Sequence, residues 1–222
     1  MINCYAFDSV PPFAKGLVRD LRVRWALEEA GLPYRVTPVG DREGSMARSS
    51  YRLVQPFGQV PAIEDDGLTL FESGAIVLYV AERSRDLLPD DTSDRARVIQ
   101  WMFAALNTIE APIQRLAELD LFHADERWAK GRRPGAVGAV QQRLAELATQ
   151  LRDRDHLVDR FSAADILMTT VLRILRHTEL LDKEPALAAY KRRCESRPAF
   201  ARALAAQLAT FESGEEQPGT AA

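Results

Sequence analysis

Between Gln59 and Gly74 the chain reads QVPAIEDDGLTLFESG, and two features of this stretch bear on chemistry. Pro61 stands ahead of a short apolar run. Proline has no N–H, so a sheet accepts it only at an edge, at a bulge or as a strand's first residue. Glu72-Ser73-Gly74 then precede AIVLYVAER, which reads as a helix. Ser73 is the predicted N-cap of that helix, a role that turns backbone N–H groups and the helix's positive end outward. Such an end receives a carboxylate. The segment therefore reads as an anion-binding turn beside a proline-marked strand. The other reactive residue types are sparse. Cys4 and Cys194 are far apart and form no C-x-x-C pair, so no disulfide framework is expected and a reducing cytoplasm fits. His123, His156 and His177 lack metal-ligand spacing, and no metal site is expected.

The elements that must position this segment follow from hydrophobic period and turn chemistry. INCYAF (2–7) is a strand, followed by a turn-rich piece, DSVPPFAKG. Leu17, Leu21, Trp25 and Val23, Leu27, Ala30 form a broad apolar stripe and predict a helix over 17–30, closed by Gly31. YRVTPV (34–39) is a second strand, followed by a polar loop over 40–50 and a short helix to about Val54. Asp65-Asp66-Gly67 is a hairpin signal between VPAIE and LTLF. The first two strands, joined through a helix, should be parallel, and the last two antiparallel. This gives an α/β domain over 1–83 and a charged linker over 84–92. An all-helical domain over 93–211 follows, then a disordered tail over 212–222. Within the helical part, Pro112 is expected to kink or end the first helix, and Pro134 to open another. Ser162 and Asp165 form a variant capping box ahead of a helix too apolar for the surface.

The chain has 222 residues, 46% apolar, with a net charge of −3. This balance lacks the basic footprint of a nucleic-acid binder. No apolar run reaches membrane-spanning length, and no signal peptide is read at the N-terminus.

An α/β half of this order followed by a helical half resembles the cytosolic glutathione transferases. LRVRWALEEAGLPY (21–34), QPFGQVPAIEDDGLTLFESGAIVLYVAE (55–82) and FSAADILM (161–168) carry the resemblance, and the middle motif is the most specific. The resemblance implies a thioredoxin-like first domain, a cis Val60–Pro61 bond and glutathione as co-substrate. It places the Val60 N–H and C=O on the cysteinyl part of the peptide. Glu72 would take the γ-glutamyl ammonium, Ser73 its carboxylate, and Gln59 the glycyl end. Relatives often carry Lys where Gln59 stands, so Arg19 or Lys15 would have to supply the missing cation.

The family also needs a group that favours the thiolate, usually a hydroxyl just after the first strand. Counting forward from that strand reaches Ser9, whereas counting back from RVRWAL reaches Leu17, and DSVPPFAKGLVRD is several residues longer than the pattern. Ser9 is thus the candidate catalytic hydroxyl, with backbone N–H groups from Phe13 to Gly16 as the other donors. Phe13, Trp101 and Phe103 are candidates for the electrophile pocket; an aromatic-and-Met stripe such as Trp101–Phe103 is more often plain core. The activity implied is conjugation of glutathione to a small hydrophobic electrophile in a cytoplasmic homodimer, without nucleic acid, membrane or metal. Glutathione-dependent isomerisation, dehalogenation or peroxide reduction uses the same site. A glutathione-binding scaffold with little turnover remains the competing class.

Overall fold

A computed structural model describes residues 1–40 and 50–215, with side chains to Glu212. The loop expected over 40–50 falls mostly outside the described residues, as does the tail beyond Glu215.

Four strands form one sheet in the order β2-β1-β3-β4: β1 Ile2–Phe7, β2 Tyr34–Val39, β3 Ala62–Asp65 and β4 Leu68–Phe71. β1 and β2 are parallel, from Ile2↔Tyr34 to Phe7↔Val39. Pro38 is tolerated because β2 is an edge strand. β3 lies antiparallel to β1, and β4 antiparallel to β3. Asp66 and Gly67, both with positive φ (48° and 84°), make the two-residue hairpin loop that the sequence announces.

Helix α1, Asp20–Ala30, connects β1 to β2. It starts three residues later than the apolar stripe predicts. The chain before it is spent on a 3₁₀ turn, Pro12–Ala14, and on further turns through Gly16 at φ 77°. Gly31, at φ 65°, caps the far end, with its N–H on the Leu27 carbonyl. Helix α2, Ser73–Ala81, follows β4 directly.

Packing divides the chain into two units, Met1–Ser84 together with the segment from Pro198, and Arg85–Arg197. In the first, the last helix returns to lie along α1. The contact is polar at its centre and apolar at its end. Asp20 and Arg24 pair at 2.7 Å, fully buried; Gln207 donates to Asp20 and to the Val18 carbonyl; Trp25 packs on Phe200.

The second unit is helical throughout: α3 Thr92–Phe103, α4 Glu110–Leu121, α5 Arg127–Gln150, α6 Ala163–Arg173 and α7 Pro185–Glu195; the helix that returns to the first unit is α8, Pro198–Glu215. Both prolines lie within helices. Of the kink or end expected at Pro112, the end does not occur: Pro112 lies inside α4, and a π-helical stretch, Ala104–Ile109, joins α3 to α4. A proline lacks one N–H and crowds the carbonyl four residues back, and a widened turn relieves both. Pro134 does not open a helix but lies inside α5, seven residues past its start. The capping box is present as read: Asp165 accepts from the Ser162 N–H at 2.9 Å, and Ala163 to Leu172 are all buried. The tail expected from 212 begins as helix, since α8 continues to Glu215.

Candidate active site

The strand register builds the site. The β3–β4 ladder ends at the pair Ala62↔Phe71, so Pro61 and Glu72 are the next residues out from one open hairpin end. Paired strands lie about 4.8 Å apart, so these two positions emerge side by side. The β1–β3 ladder stops at Tyr5↔Ala62, at the same end. Val60 therefore lies beyond both ladders, and its N–H and C=O are left outside the sheet pairing. The Val60–Pro61 bond is cis, as the resemblance implies.

The loop that presents Val60 is held by residues the sequence reading passed over. The buried side chain of Gln55 accepts from the Phe57 N–H at 2.7 Å and the Gln59 N–H at 3.1 Å. Tyr51 donates its hydroxyl to the Gln59 carbonyl at 2.8 Å. Gln59 thus has its backbone committed and its side chain exposed. Val60 packs in a cluster with Tyr51 and Ala62, joined by Tyr5, Phe7, Val18, Val39, Val54 and Phe71. A glutamine bonding its own backbone two and four residues on was the available signal, but a lone Gln before Pro carries too little information to be read that way.

At the other side, Ser73 is not the N-cap. Glu72 occupies that position, at φ 69° and with no capping side-chain bond, and Ser73 is the first residue of α2. A positive φ in a non-glycine residue costs energy and recurs at ligand sites. Here it turns the chain from β4 into α2 within one residue and leaves the Glu72 side chain exposed. Ser73 is buried, and Arg22 donates to its Oγ at 3.1 Å. Arg22 lies 51 positions away in sequence, and nothing local marks it.

The candidate thiol activators differ in setting. Ser9 is exposed and donates to the Asp8 carboxylate at 2.9 Å. Val18, next to the Leu17 reached by the backward count, packs into the Val60 cluster. Phe13 is 38% exposed. In the second unit, Trp101 is half-buried and Phe103 exposed on α3. At about 100° per residue, positions two apart face opposite ways on a helix, so these two do not form one wall. Cys4 is fully buried, and burial, followed by the charge of Asp20, pushes its thiol up to about 12. The Tyr5 hydroxyl donates to Glu64 at 2.8 Å. Both are structural.

His156, Asp165 and Cys194 offer three ligand atoms within 4.8 Å of one another. The Asp165 oxygens already accept from Leu157 N–H, Ser162 N–H and Oγ, and Tyr190 Oη. Asp165 is thereby the capping-box residue of α6.

The profile of the glutathione S-transferase N-terminal domain matches residues 15–82, and that of the C-terminal domain residues 130–198. The chain is 33% identical over 188 residues to "Probable maleylacetoacetate isomerase 2" of Drosophila melanogaster, covering 81% of this chain and 80% of that protein. Glutathione S-transferase F9 of Arabidopsis thaliana is also 33% identical, over 55% of this chain and 61% of its own length. Among solved structures, a glutathione transferase family member from Pseudomonas fluorescens with two glutathione bound superposes with a TM-score of 0.80. It is 26% identical, over 91% of this chain and 92% of that one.

Proposed function

The chain belongs to the glutathione S-transferase family, and on that premise we propose that it binds glutathione at the open end of the β3–β4 hairpin and transfers the thiolate to a small hydrophobic electrophile. The observation that carries the reading is the register pair Ala62↔Phe71. It sets an unpaired backbone edge, Val60, beside a helix N-terminus with a buried hydroxyl, Ser73. An extended peptide adds to the Val60 edge like another strand. The first-turn N–H groups of α2 and the Ser73 hydroxyl take the γ-glutamyl carboxylate, the exposed Glu72 carboxylate takes the ammonium, and Gln59 meets the glycyl end. The Pseudomonas fluorescens relative, with glutathione bound, supports this ligand.

In the reaction the bound thiol loses its proton to solvent water, the sulfur forms a bond to the electrophilic carbon, and the leaving group departs with the displaced electron pair. A free thiol has a pKa of about 8.5, so each unit of lowering is about 1.4 kcal/mol in favour of the nucleophile. Ser9 is the hydroxyl proposed for this, which requires its single hydrogen to turn from Asp8 to the sulfur. The backbone ahead of α1 is the alternative donor, and Val18, packed in the Val60 cluster, favours it.

Isothermal titration of glutathione into wild type and Glu72→Ala/Ser73→Ala, with a chlorodinitrobenzene assay on the same samples, tests the reading. Wild type is expected to bind in the micromolar to millimolar range, roughly 4–8 kcal/mol, and the double variant to lose most of it. No saturable binding by wild type would reduce the protein to an interaction scaffold. Turnover that Ser9→Ala abolishes assigns the hydroxyl; turnover that survives moves the role to the backbone. Isomerisation is the second reading, favoured by the Drosophila relative's name. It differs in leaving glutathione unconsumed.

A homodimer belongs to the same proposal. Leu53, Phe57 and Leu68 are large apolar side chains that are 89%, 63% and 42% exposed. Sedimentation velocity is expected to give twice the chain mass; a single-chain mass at assay concentration would exclude it.

A further inference from the structure

Four backbone N–H groups lie between Pro56 and Pro61, since the prolines themselves have none. Gln55 takes three of them: Phe57 and Gln59 donate to its side-chain oxygen at 2.7 and 3.1 Å, and Gly58 to its main-chain carbonyl at 3.1 Å. Two carbonyls of the same loop are also spoken for. That of Pro56 accepts from Arg52 at 2.9 Å, and that of Gln59 from the Tyr51 hydroxyl at 2.8 Å. Tyr51 in turn packs on Tyr5 of β1, ring centroids 5.4 Å apart, so the loop is tied to the sheet. Val60 takes part in none of these bonds and lies past the end of both ladders. Gln55 is 2% exposed, so its oxygen does not trade these N–H groups for water. The edge that a peptide can join is thus one residue long, with its surroundings already fixed.

We propose that Gln55 is a positioning residue for the substrate peptide: by taking the neighbouring N–H groups it holds the Val60 N–H and C=O as a ready strand edge for the cysteinyl residue. The inference rests on the glutathione reading above. A loop ordered in advance does not have to be ordered on binding, so the gain appears as affinity. Without the Gln55 oxygen, the Phe57 and Gln59 N–H groups must find other acceptors, and the loop moves to reach them.

The probes are glutathione and its analogue methylated at the cysteinyl nitrogen, which keeps every charge but cannot donate to the Val60 carbonyl. In isothermal titration, wild type is expected to bind the methylated ligand about tenfold more weakly, the size of one hydrogen bond left unmade. Gln55→Met keeps the length of the side chain and removes its oxygen. It should bind glutathione about tenfold more weakly and cut the methylation penalty to about twofold, because the edge is no longer set. Gln55→Glu, whose carboxylate accepts both N–H groups, should return to within about threefold of wild type. In turnover the Gln55→Met loss should fall on KM for glutathione, with kcat and KM for chlorodinitrobenzene little changed. Tyr51→Phe frees the Gln59 carbonyl alone; it should weaken glutathione and narrow the methylation penalty by a smaller factor, and it decides the matter if Gln55→Met does not fold. Wild-type affinity for glutathione in Gln55→Met, or a loss falling equally on both ligands, overturns the proposal in favour of a packing role. A Gln55→Glu variant as weak as Gln55→Met overturns it too. Equal binding of the two ligands by wild type overturns it while glutathione binding stands. Failure of wild type to bind either ligand overturns this proposal and the glutathione reading together.

Discussion

Asp165→Ala is expected to lower the unfolding free energy by roughly 3–5 kcal/mol, about a third to a half of what a typical domain has. The carboxylate accepts from Leu157 N–H at 3.0 Å, Ser162 N–H at 2.9 Å, Ser162 Oγ at 3.0 Å and Tyr190 Oη at 2.8 Å, all of them buried. Loss of the N-terminal cap alone costs about 1 kcal/mol. The larger part comes from the donors left behind, since each buried N–H or O–H without a partner costs about 1–3 kcal/mol. α6 is buried along its length, so its first turn cannot fray into water to recover those bonds. Asp165→Asn keeps one acceptor oxygen and should cost roughly half as much. Urea denaturation followed by circular dichroism measures both. A loss below about 1 kcal/mol for Asp165→Ala would mean that the donors find other acceptors and that the cap is not the anchor of the second unit.

Arg24→Met is the second large effect, and it acts on the first unit. Arg24 and Asp20 are 1% and 0% exposed at 2.7 Å. Breaking such a pair from one side leaves a buried charge uncompensated, at roughly 3–5 kcal/mol. Arg24 also donates to the Ala206 carbonyl and Thr210 Oγ1 at 3.1 Å each, so the same change unties α8 from α1. Hydrogen exchange in α8 should rise, and the Trp25 emission, set by its packing on Phe200, should shift. Asp20→Leu/Arg24→Met removes both charges and should recover much of the loss. If the double variant is no more stable than Arg24→Met, the cost lies in packing and not in charge. Gln207 bonds both Asp20 and the Val18 carbonyl, and Val18 packs on the Val60 cluster. Loosening α8 therefore reaches the proposed glutathione site through one side chain.

The features legible in the sequence are those decided within a few residues. Gly31 closes α1 because a left-handed residue is needed there. Asp66-Gly67 turns the hairpin because both positions require positive φ. Ser162 and Asp165 cap α6 because the box spans a single turn. Hydrophobic alternation and the 3.6-residue stripe placed the four strands and most helices for the same reason. Local chemistry misled where two local rules competed. Pro112 read as a kink or end and Pro134 as a helix start, yet the first lies inside α4 behind a π-helical stretch and the 24-residue helix α5 carries the second inside it.

The site lies on both sides of that divide. Its residues, Gln59 to Pro61 and Glu72-Ser73, were visible as a motif. Their meeting at one end of the sheet is a matter of register, which no short window contains. Arg22 reaches Ser73 across 51 positions, and Gln207 reaches Asp20 across 187. A buried arginine or glutamine has the same letter as an exposed one. Only the packed fold, by removing water from around it, decides that its hydrogen bonds must be met by another part of the chain.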